Sequence, residues 1–474
     1  MRKAFMGVRI KRLREERQLT QAALASALGL SLSYLNQLEN NQRPLTVPVL
    51  LKLNAAFGVD VQLFSEDDEA RLIGDLREAL SDPAISETIA TAELRELASN
   101  MPAVGRALVS IHRRYHRALE QAAALASRLG DDRQGHAPVI AATPFEEVRD
   151  FFYARHNHIA ELDDVAERIA LDAGLPIGAM AAAISDRLQR EHGVRVMMSG
   201  AEEVTGEVQR SYDPDSRVLR LSPHLGAGQT AFQVATQLAF LEQRQAIDAI
   251  VAASPFSDAG SRRLARIGLA NYFAGALILP YTAFRNAAEA SRYDIELLGE
   301  RFGVGFETVC HRLSTLQRPG ALGVPFFFIR VDRAGNISKR QSATDFHFSR
   351  VGGTCPLWNV YEAFAQPERV LTQIARMPDE RTYLWIARSV SRGRGGYHSP
   401  RKTFSVALGC DIQHAGRLVY SDGIDLRNPA AATRIGAGCK ICERPACPQR
   451  AFPPIGRPLS VDENQTAFAP YAAN

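Results

Sequence analysis

Residues Thr20–Arg43, TQAALASALGLSLSYLNQLENNQR, constrain the fold of this chain more tightly than any other stretch. Gln21 opens one short helical pattern and Ser31-Leu32-Ser33-Tyr34 opens a second, with Gly29 at the corner between them. Apolar Ala22, Ala23, Leu24, Leu28, Leu35 and Leu38 recur mostly three and four residues apart, so each helix has one inward face. A glycine at the corner can take positive φ, which lets the second helix cross the first sharply.

Two short helices meeting at such a turn have the layout of a helix-turn-helix, whose second helix enters the DNA major groove. The segment resembles the lambda-repressor-like (XRE, Cro/C1-type) helix-turn-helix over residues 8–64. The matching marks are Thr20-Gln21, Ala25, Gly29, Ser33-Tyr34-Leu35, Leu38-Glu39-Asn40 and Arg43-Pro44. The resemblance implies that Gln21 and Asn40 hold phosphates, while Leu32, Ser33 and Gln37 face base edges with Tyr34 and Asn36 alongside. Ser31 and Arg43 complete the expected DNA-contacting set. Gln37 can make paired hydrogen bonds to adenine, and Leu32 can pack on a thymine methyl. Glu39 is expected to hold the recognition helix against the basic first helix, because a carboxylate gains nothing near phosphates.

Charge points the same way. Residues 1–64 carry nine Lys or Arg against four acids, a net +5, while the whole chain is only +4. Basicity is therefore concentrated where DNA would sit, and the rest of the chain is near neutral. At 474 residues the chain is too long for one core and predicts about three domains. The N-terminus is charged within its first three residues and never becomes an apolar run, so no secretory signal is expected. Gly268–Pro280 is apolar but too short to span a bilayer, and reads as a buried helix. These features predict a cytoplasmic protein with no membrane partner. Six cysteines in such a chain argue for metal, cluster or redox use before structural disulfides.

The sequence predicts an all-α N-terminal helix-turn-helix and helical linker, followed by α+β sensor domains. The expected divisions are residues 1–65 for the DNA-binding domain, 66–143 for the linker, 144–300 for a second domain and 301–474 for a C-terminal domain. Within the linker, Val104, Leu108, Ile111, Tyr115 and Leu119 form one helical stripe. That stripe serves either to dimerise the chain, as a reader of two half-sites requires, or to pack on the chain itself. Gly130–Thr143 is polar and contains Gly and Pro, which marks a boundary. Pro144–Ala170 reads as strongly helical. Strands are expected at Val194–Val196, Arg217–Leu221, FFFIRV, ISKR, TYLWIARSV and KTFSVALGC.

Ala231–Leu241 has the frame of a zincin active helix, in which two histidines at i and i+4 bind zinc and the intervening glutamate is the general base. Here those positions hold Thr236, Gln237 and Phe240, and Arg262–Tyr272 contains no Asp, Glu or His that could supply an acidic third ligand. A threonine, a glutamine and a phenylalanine cannot replace ligands and base. The residues predict a scaffold kept without peptidase chemistry, and a non-enzyme. An emptied cleft of this kind can be relined for a small molecule.

Ala270–Pro280 resembles the second conserved helix of the IrrE/ImmA-like peptidase domain. Over almost the whole chain the sequence resembles the short-chain fatty acyl-CoA regulator family, bacterial transcription factors of propionate and related acyl-CoA metabolism. FFYARHNHIAELD, ERFGVGFETVCHRLSTLQRPG, GVPFFFIRVDRAGNISKR, RVGGTCPLWNVYEAF and VALGCDIQHAGRLVYSDGIDL carry that resemblance. It implies a double-stranded DNA operator, a homodimer or higher homo-oligomer, and an acyl-CoA effector such as propionyl-CoA. A redox- or iron–sulfur-sensing regulator without an acyl-CoA effector is the alternative. Cations for CoA phosphates could come from Arg155, Arg330, Lys339, Arg340, Arg350, Arg392, Arg394, Arg401 and Lys402. An apolar slot could come from Phe151, Phe152, Phe326, Phe327 and Trp358. Arg350-Val351-Gly352-Gly353 adds glycines beside an arginine, which permit close backbone approach to a phosphate. The expected effector set is thus Arg155, Arg350, Gly352, Gly353 and Trp358.

Cys439-x2-Cys442-x4-Cys447 spaces three sulfurs for one centre, and Cys410 can return from a strand end as a fourth. Four thiolates suit a 4Fe-4S iron–sulfur cluster or tetrahedral zinc, with reduced thiols as the remaining reading. The Cys447-Pro448 step and the resemblance favour the cluster. Cys355 is the reserve ligand, and Cys310 reads as a small buried apolar residue.

Overall fold

The computed structural model describes residues 7–40, 42–57, 66–81, 89–129, 144–199, 208–342, 355–378, 380–393, 397–398, 401–436, 438–439, 442, 444 and 447–450. The chain forms two compact units: Met1–Ala137 with Asp345–Thr354 and Gly436–Asn474, and Pro138–Thr344 with Cys355–Ile435. The first break falls inside the polar Gly130–Thr143 segment. No break falls near residue 300, because one hydrophobic core runs from Val148 to Leu418 and takes apolar side chains from both sides of that position. The expected domains 144–300 and 301–474 therefore share the second unit over most of their length, apart from the two segments grouped with the first.

In the first unit, α1 (Gly7–Glu16), α2 (Gln21–Ala27), α3 (Leu32–Glu39) and α4 (Val47–Phe57) close around Ile10, Leu24, Ala25, Leu28, Leu35, Leu38, Val49 and Leu53. Each of the two central helices begins on a hydroxyl cap. Thr20 Oγ1 accepts from the Ala23 N–H at 3.1 Å, and Ser31 Oγ from the Tyr34 N–H at 3.2 Å. Gly29 turns the corner at φ +58°, a conformation open to glycine at little cost. Three further helices, α5 (Glu66–Leu80), α6 (Thr91–Asn100) and α7 (Pro102–Leu129), share a small core of Leu72, Leu76, Ala79, Leu94, Ala98 and Val109. Pro102 opens α7, a position where its missing N–H costs nothing.

The second unit starts with α8 (Pro144–Ala154), α9 (Ala160–Asp172) and α10 (Met180–His192). The strongly helical Pro144–Ala170 segment is divided between α8 and α9. His156 and Asn157 take positive φ there, and the N–H of Asn157 turns back to the Phe152 carbonyl at 2.9 Å. A three-stranded sheet follows, from β1 (Arg195–Met198), β2 (Arg210–Asp213) and β3 (Val218–Leu221). β1 pairs parallel with β3, and β2 pairs antiparallel with it. Then come α11 (Ala227–Glu242), α12 (Arg244–Ala252), α13 (Ala259–Ile278), α14 (Tyr281–Ala290), α15 (Ile295–Phe302) and α16 (Phe306–Leu313). The apolar stretch before Pro280 is the buried end of α13, which packs on α8, α9, α11 and α12.

The larger sheet contains β4 (Phe327–Val331), β5 (Ile337–Ser342), β6 (Leu371–Arg376), β7 (Thr382–Gly393), β8 (Arg401–Asp411) and β9 (Thr433–Arg434), in the order β5-β4-β8-β7-β6-β9. Its ladders are antiparallel except β6/β9, and Trp385 lies opposite Gly409 between β7 and β8. Short β2 and β6 lack the apolar runs of their neighbours, and pairing rather than local pattern makes them strands.

Candidate functional sites

On the recognition helix α3, Leu35 and Leu38 point inward while Leu32, Ser33 and Asn36 are exposed and Tyr34 and Gln37 are half-buried. Leu32 is 50% exposed, an apolar side chain offered to solvent on the face expected to meet bases. Arg43 sits over the Tyr34 ring, 5.5 Å from its centroid. Glu39 is 4% exposed and binds Arg14 of α1 through two contacts, Nε to Oε1 at 2.7 Å and Nη2 to Oε2 at 3.2 Å. Glu39 thus ties α3 to α1, as its poor fit beside phosphate predicts. Gln21, expected at a phosphate, donates in this structure to Glu39 Oε2 at 2.7 Å and to Asn36 Oδ1 at 3.4 Å. Asn40 donates to the same Asn36 oxygen at 3.0 Å. The Gln21 amide thus links α2 to α3 at the surface, while the Asn40–Asn36 bond stays within the end of α3.

The emptied zincin frame lies on α11. Thr236 bonds back to the Phe232 carbonyl at 2.8 Å and lies 3.5 Å from Asn271 Oδ1 on α13. Gln237 Oε1 accepts from Arg210 Nη1 at 3.0 Å, and the Arg210 guanidinium lies over the Phe240 ring, 5.2 Å from its centroid. A guanidinium from β2 thus engages the positions of the general base and the second histidine. Burial pulls its pKa down from the ordinary arginine value.

Beside this frame opens a cavity of about 440 Å³. Phe145, Val148 and Phe152 of α8, Phe232 of α11, and Leu264 and Ile267 of α13 supply an apolar wall. Arg149, Arg312, Lys339, Arg340 and Arg392 also line it, against one acid, Glu307. Glu307 bridges Arg330 at 2.7 Å and Arg392 at 3.0 Å. Burial pushes the Lys339 ammonium down to about 8, with Glu307 opposing and Arg330 and Arg392 reinforcing the shift. His311 is driven well below its usual range by burial and by Lys339, Arg312 and Arg330, so its imidazole is neutral.

Arg312, 3% exposed, anchors this end of the cavity. Its Nη1 donates to Asp163 at 2.7 Å and its Nε to the Leu279 carbonyl at 2.9 Å. Arg318 and Tyr272 reach the same carboxylate at 3.1 and 3.2 Å. Burial alone would raise the Asp163 pKa. The charge and hydrogen bond of Arg312, with the His158 imidazole 3.7 Å away, outweigh it and hold the carboxyl well below the usual range.

Of the residues proposed from sequence for CoA, Phe152, Lys339, Arg340 and Arg392 line the cavity. Arg155 does not. It stacks on Phe151, 4.4 Å from the ring centroid. Trp358 is a core residue, edge-on to Trp385 at 4.7 Å, and is withdrawn as an effector contact because burial leaves no ring face for a ligand. Arg350, Gly352 and Gly353 lie outside the described residues. Sequence reading missed Arg149, Asn271, Gly275 and Arg312. The available signal was the face of α13 on which Gly268, Asn271 and Gly275 follow at helical spacing.

The four proposed cysteines are divided between the two units. Cys410 is buried in β8 opposite Leu384, in the core of the second unit, and burial pushes its thiol far up. It sits one residue from the end of β8, as its sequence position suggests, and is fully buried, as is Cys310. Cys439, Cys442 and Cys447 belong to the first unit, where the buried Arg450 donates to the carbonyls of Cys439, Cys442 and Arg444. Among the described residues no three His, Cys, Asp or Glu side chains gather where one ion could reach them.

Residues 10–64 match the family described as "Helix-turn-helix", 189–314 the "IrrE N-terminal-like domain", and 315–471 "Short-chain fatty acyl coenzyme A regulator, C-terminal". The HTH-type transcriptional regulator PrpR of Mycobacterium tuberculosis (strain ATCC 25618 / H37Rv) is 51% identical, over 99% of this chain and 96% of the relative. The chain belongs to the short-chain fatty acyl-CoA regulators, a family of helix-turn-helix transcription regulators. RamB of the same strain is 49% identical over 99% of both chains. A propionyl-CoA carboxylase regulator of Cereibacter sphaeroides is 43% identical over 99% of this chain and 98% of the relative. A solved structure titled "Mycobacterium tuberculosis transcriptional regulator" is 53% identical, with a TM-score of 0.68, covering 70% of this chain and all of that one. In this regulator the cavity draws on both matched segments, α11, α13 and α16 from the peptidase-like one and β5 and β7 from the C-terminal one.

Proposed function

We propose that this regulator binds a palindromic operator as a homodimer in the cytoplasm, and that a short-chain acyl-CoA in the cavity of the second unit sets its operator affinity. One observation carries the effector reading: a single cavity joins an apolar wall to five cationic side chains. An acyl-pantetheine arm suits the first and CoA phosphates the second. The name of the Cereibacter sphaeroides relative favours propionyl-CoA. At the peptidase positions Thr236, Gln237, Phe240 and the Arg210 guanidinium favour a ligand-binding scaffold over a hydrolase.

Dimerisation is supported by α7 and the residue before it. Met101, Val104, Ile111 and Tyr115 share one face there and are exposed, Ile111 by 63%, while Leu108 turns partly into the local core. An exposed apolar stripe at this spacing is what a second copy of the helix would cover. The operator would then be read by Leu32, Ser33, Tyr34, Asn36 and Gln37, with Ser31, Asn40 and Arg43 near the backbone.

The decisive experiment titrates acetyl-, propionyl- and butyryl-CoA against operator binding by the full chain. A change in operator affinity with at least one acyl-CoA is expected. No response to any would defeat the effector reading and leave the DNA-binding assignment standing. An iron–sulfur or zinc centre on Cys439, Cys442 and Cys447 is a separate proposal that requires this segment to draw the three sulfurs together. Anaerobic purification with a visible spectrum and iron, sulfide and zinc assays decides it, and no step above runs through a metal.

A further inference from the structure

Gly275 occupies the interior of α13, where glycine is a poor helix former. Nothing local requires it. A Cβ built there meets no atom within 4 Å, whereas at Gly268, two turns earlier, a Cβ would meet Phe152 Cε2 at 2.9 Å. What a side chain at residue 275 would remove is open volume, and Gly275 lines the cavity.

Arg312 lies at the same end of α13. Its Nε donates to the carbonyl of Leu279, whose own N–H donates to the carbonyl of Gly275. Asp163, Thr315 and Leu279 take up Nη1 and Nε, but Nη2 is buried and has no hydrogen-bond partner among the described residues. A buried cationic donor without an acceptor is costly unless a ligand supplies one.

We propose that Arg312 and Gly275 form the acyl end of the cavity. Nη2 of Arg312 donates to the thioester carbonyl oxygen, and the space over Gly275 receives the acyl chain, so this side-chain-free position sets the largest acyl group admitted. The assignment rests on the acyl-CoA reading above and names the part of that site that discriminates among acyl-CoAs. Phe232 lines the same cavity, while the Tyr272 hydroxyl is already committed to Asp163 and to the Ile159 N–H.

Calorimetric titration of the full chain tests this with free CoA and with acetyl-, propionyl-, butyryl- and hexanoyl-CoA, for the wild type, Gly275→Ala and Gly275→Leu. Both substitutions improve helix propensity, so the fold is retained, and thermal melts check that. Gly275→Leu is expected to lose at least ten-fold in affinity for butyryl- and hexanoyl-CoA while free CoA is unchanged, with Gly275→Ala between. Because Arg312 also holds Asp163, its role is tested from the ligand side. S-propyl-CoA, a thioether lacking the carbonyl, is expected to bind the wild type at least ten-fold more weakly than propionyl-CoA. An unchanged chain-length profile in Gly275→Leu, or equal binding of the thioether, overturns the assignment alone. A wild type that binds no acyl-CoA removes the effector reading and this inference with it.

Discussion

Among the described residues each unit fully buries one carboxylate against arginine, and the two do so over very different lengths of chain. Glu39 meets Arg14 across 25 residues, within a helical hairpin that closes on itself. Asp163 meets Arg312 across 149 residues, and that pair anchors one end of the cavity. The Glu39 pair retains solvent on the Arg14 side, while both partners of the other are almost wholly buried. A local pair positions a surface to be read from outside. A distant, dry pair holds together the walls of an interior site, so its loss should reach much further.

The largest expected effect is therefore at Asp163. Asp163→Asn leaves the Arg312 charge buried without its counter-ion, at a cost of about 3–5 kcal/mol. Both tryptophans, Trp358 and Trp385, belong to the second unit, so fluorescence-detected denaturation follows that unit alone. A loss below about 1 kcal/mol would show that solvent or a neighbour replaces the carboxylate. The pH dependence has a fixed sign. The folded-state pKa of Asp163 is depressed, so its contribution is complete above the unfolded carboxyl value of about 4 and fades as pH falls through the folded one. The gap between wild type and Asp163→Asn should close in acid.

Lys339 sharpens the contrast through charge that a ligand, rather than the chain, would neutralise. Its pKa near 8 means that the free amine loses its proton at mildly alkaline pH, whereas a bound phosphate favours the ammonium. Acyl-CoA affinity should fall as pH rises from 7 to 9, and Lys339→Met should lose both that slope and about 1.5–3 kcal/mol of binding at pH 7. Lys339→Arg should keep affinity and lose the slope. An identical pH profile in Lys339→Met would place the titrating group elsewhere.

The same difference in chain separation decides what could be read from sequence. The hairpin's caps, corner glycine and Glu39 brace were legible because every partner lies within a few turns. Lys339 and Arg392 were picked out as cations, but nothing in their spacing to Phe152 or Gly275 places them around one cavity. Trp358 failed as an effector candidate because composition cannot distinguish a core ring from a pocket ring. Cys410 does lie at a strand end, but its complete burial could not be read from an alternating pattern. A signal left unused was lysine itself: of the 56 Lys and Arg, only Lys3, Lys11, Lys52, Lys339, Lys402 and Lys440 are lysine, and Lys339 alone lines the cavity.

In the first unit the effects should be smaller and confined. Glu39→Gln weakens the tie to Arg14 by about 1–2 kcal/mol, with Gln21 able to turn toward the new amide oxygen. Operator affinity should fall, while the tryptophan-detected midpoint of the second unit stays where it was. A shift of that midpoint would break the comparison, since it would couple a pair designated local to the distant core.

The smallest effect separates two roles at one residue. Ser31 caps α3 through the Tyr34 N–H and also stands in the set expected to meet DNA. Ser31→Ala should cost about 1 kcal/mol of domain stability by removing the cap. Ser31→Asp restores an acceptor and suits a helix N-terminus, so stability should recover. A carboxylate there also faces phosphate, so operator affinity in Ser31→Asp should drop below that of Ser31→Ala, most clearly at low salt. If thermal stability and operator affinity instead moved together in both variants, Ser31 would act only as a cap, and the reading face would begin at Leu32.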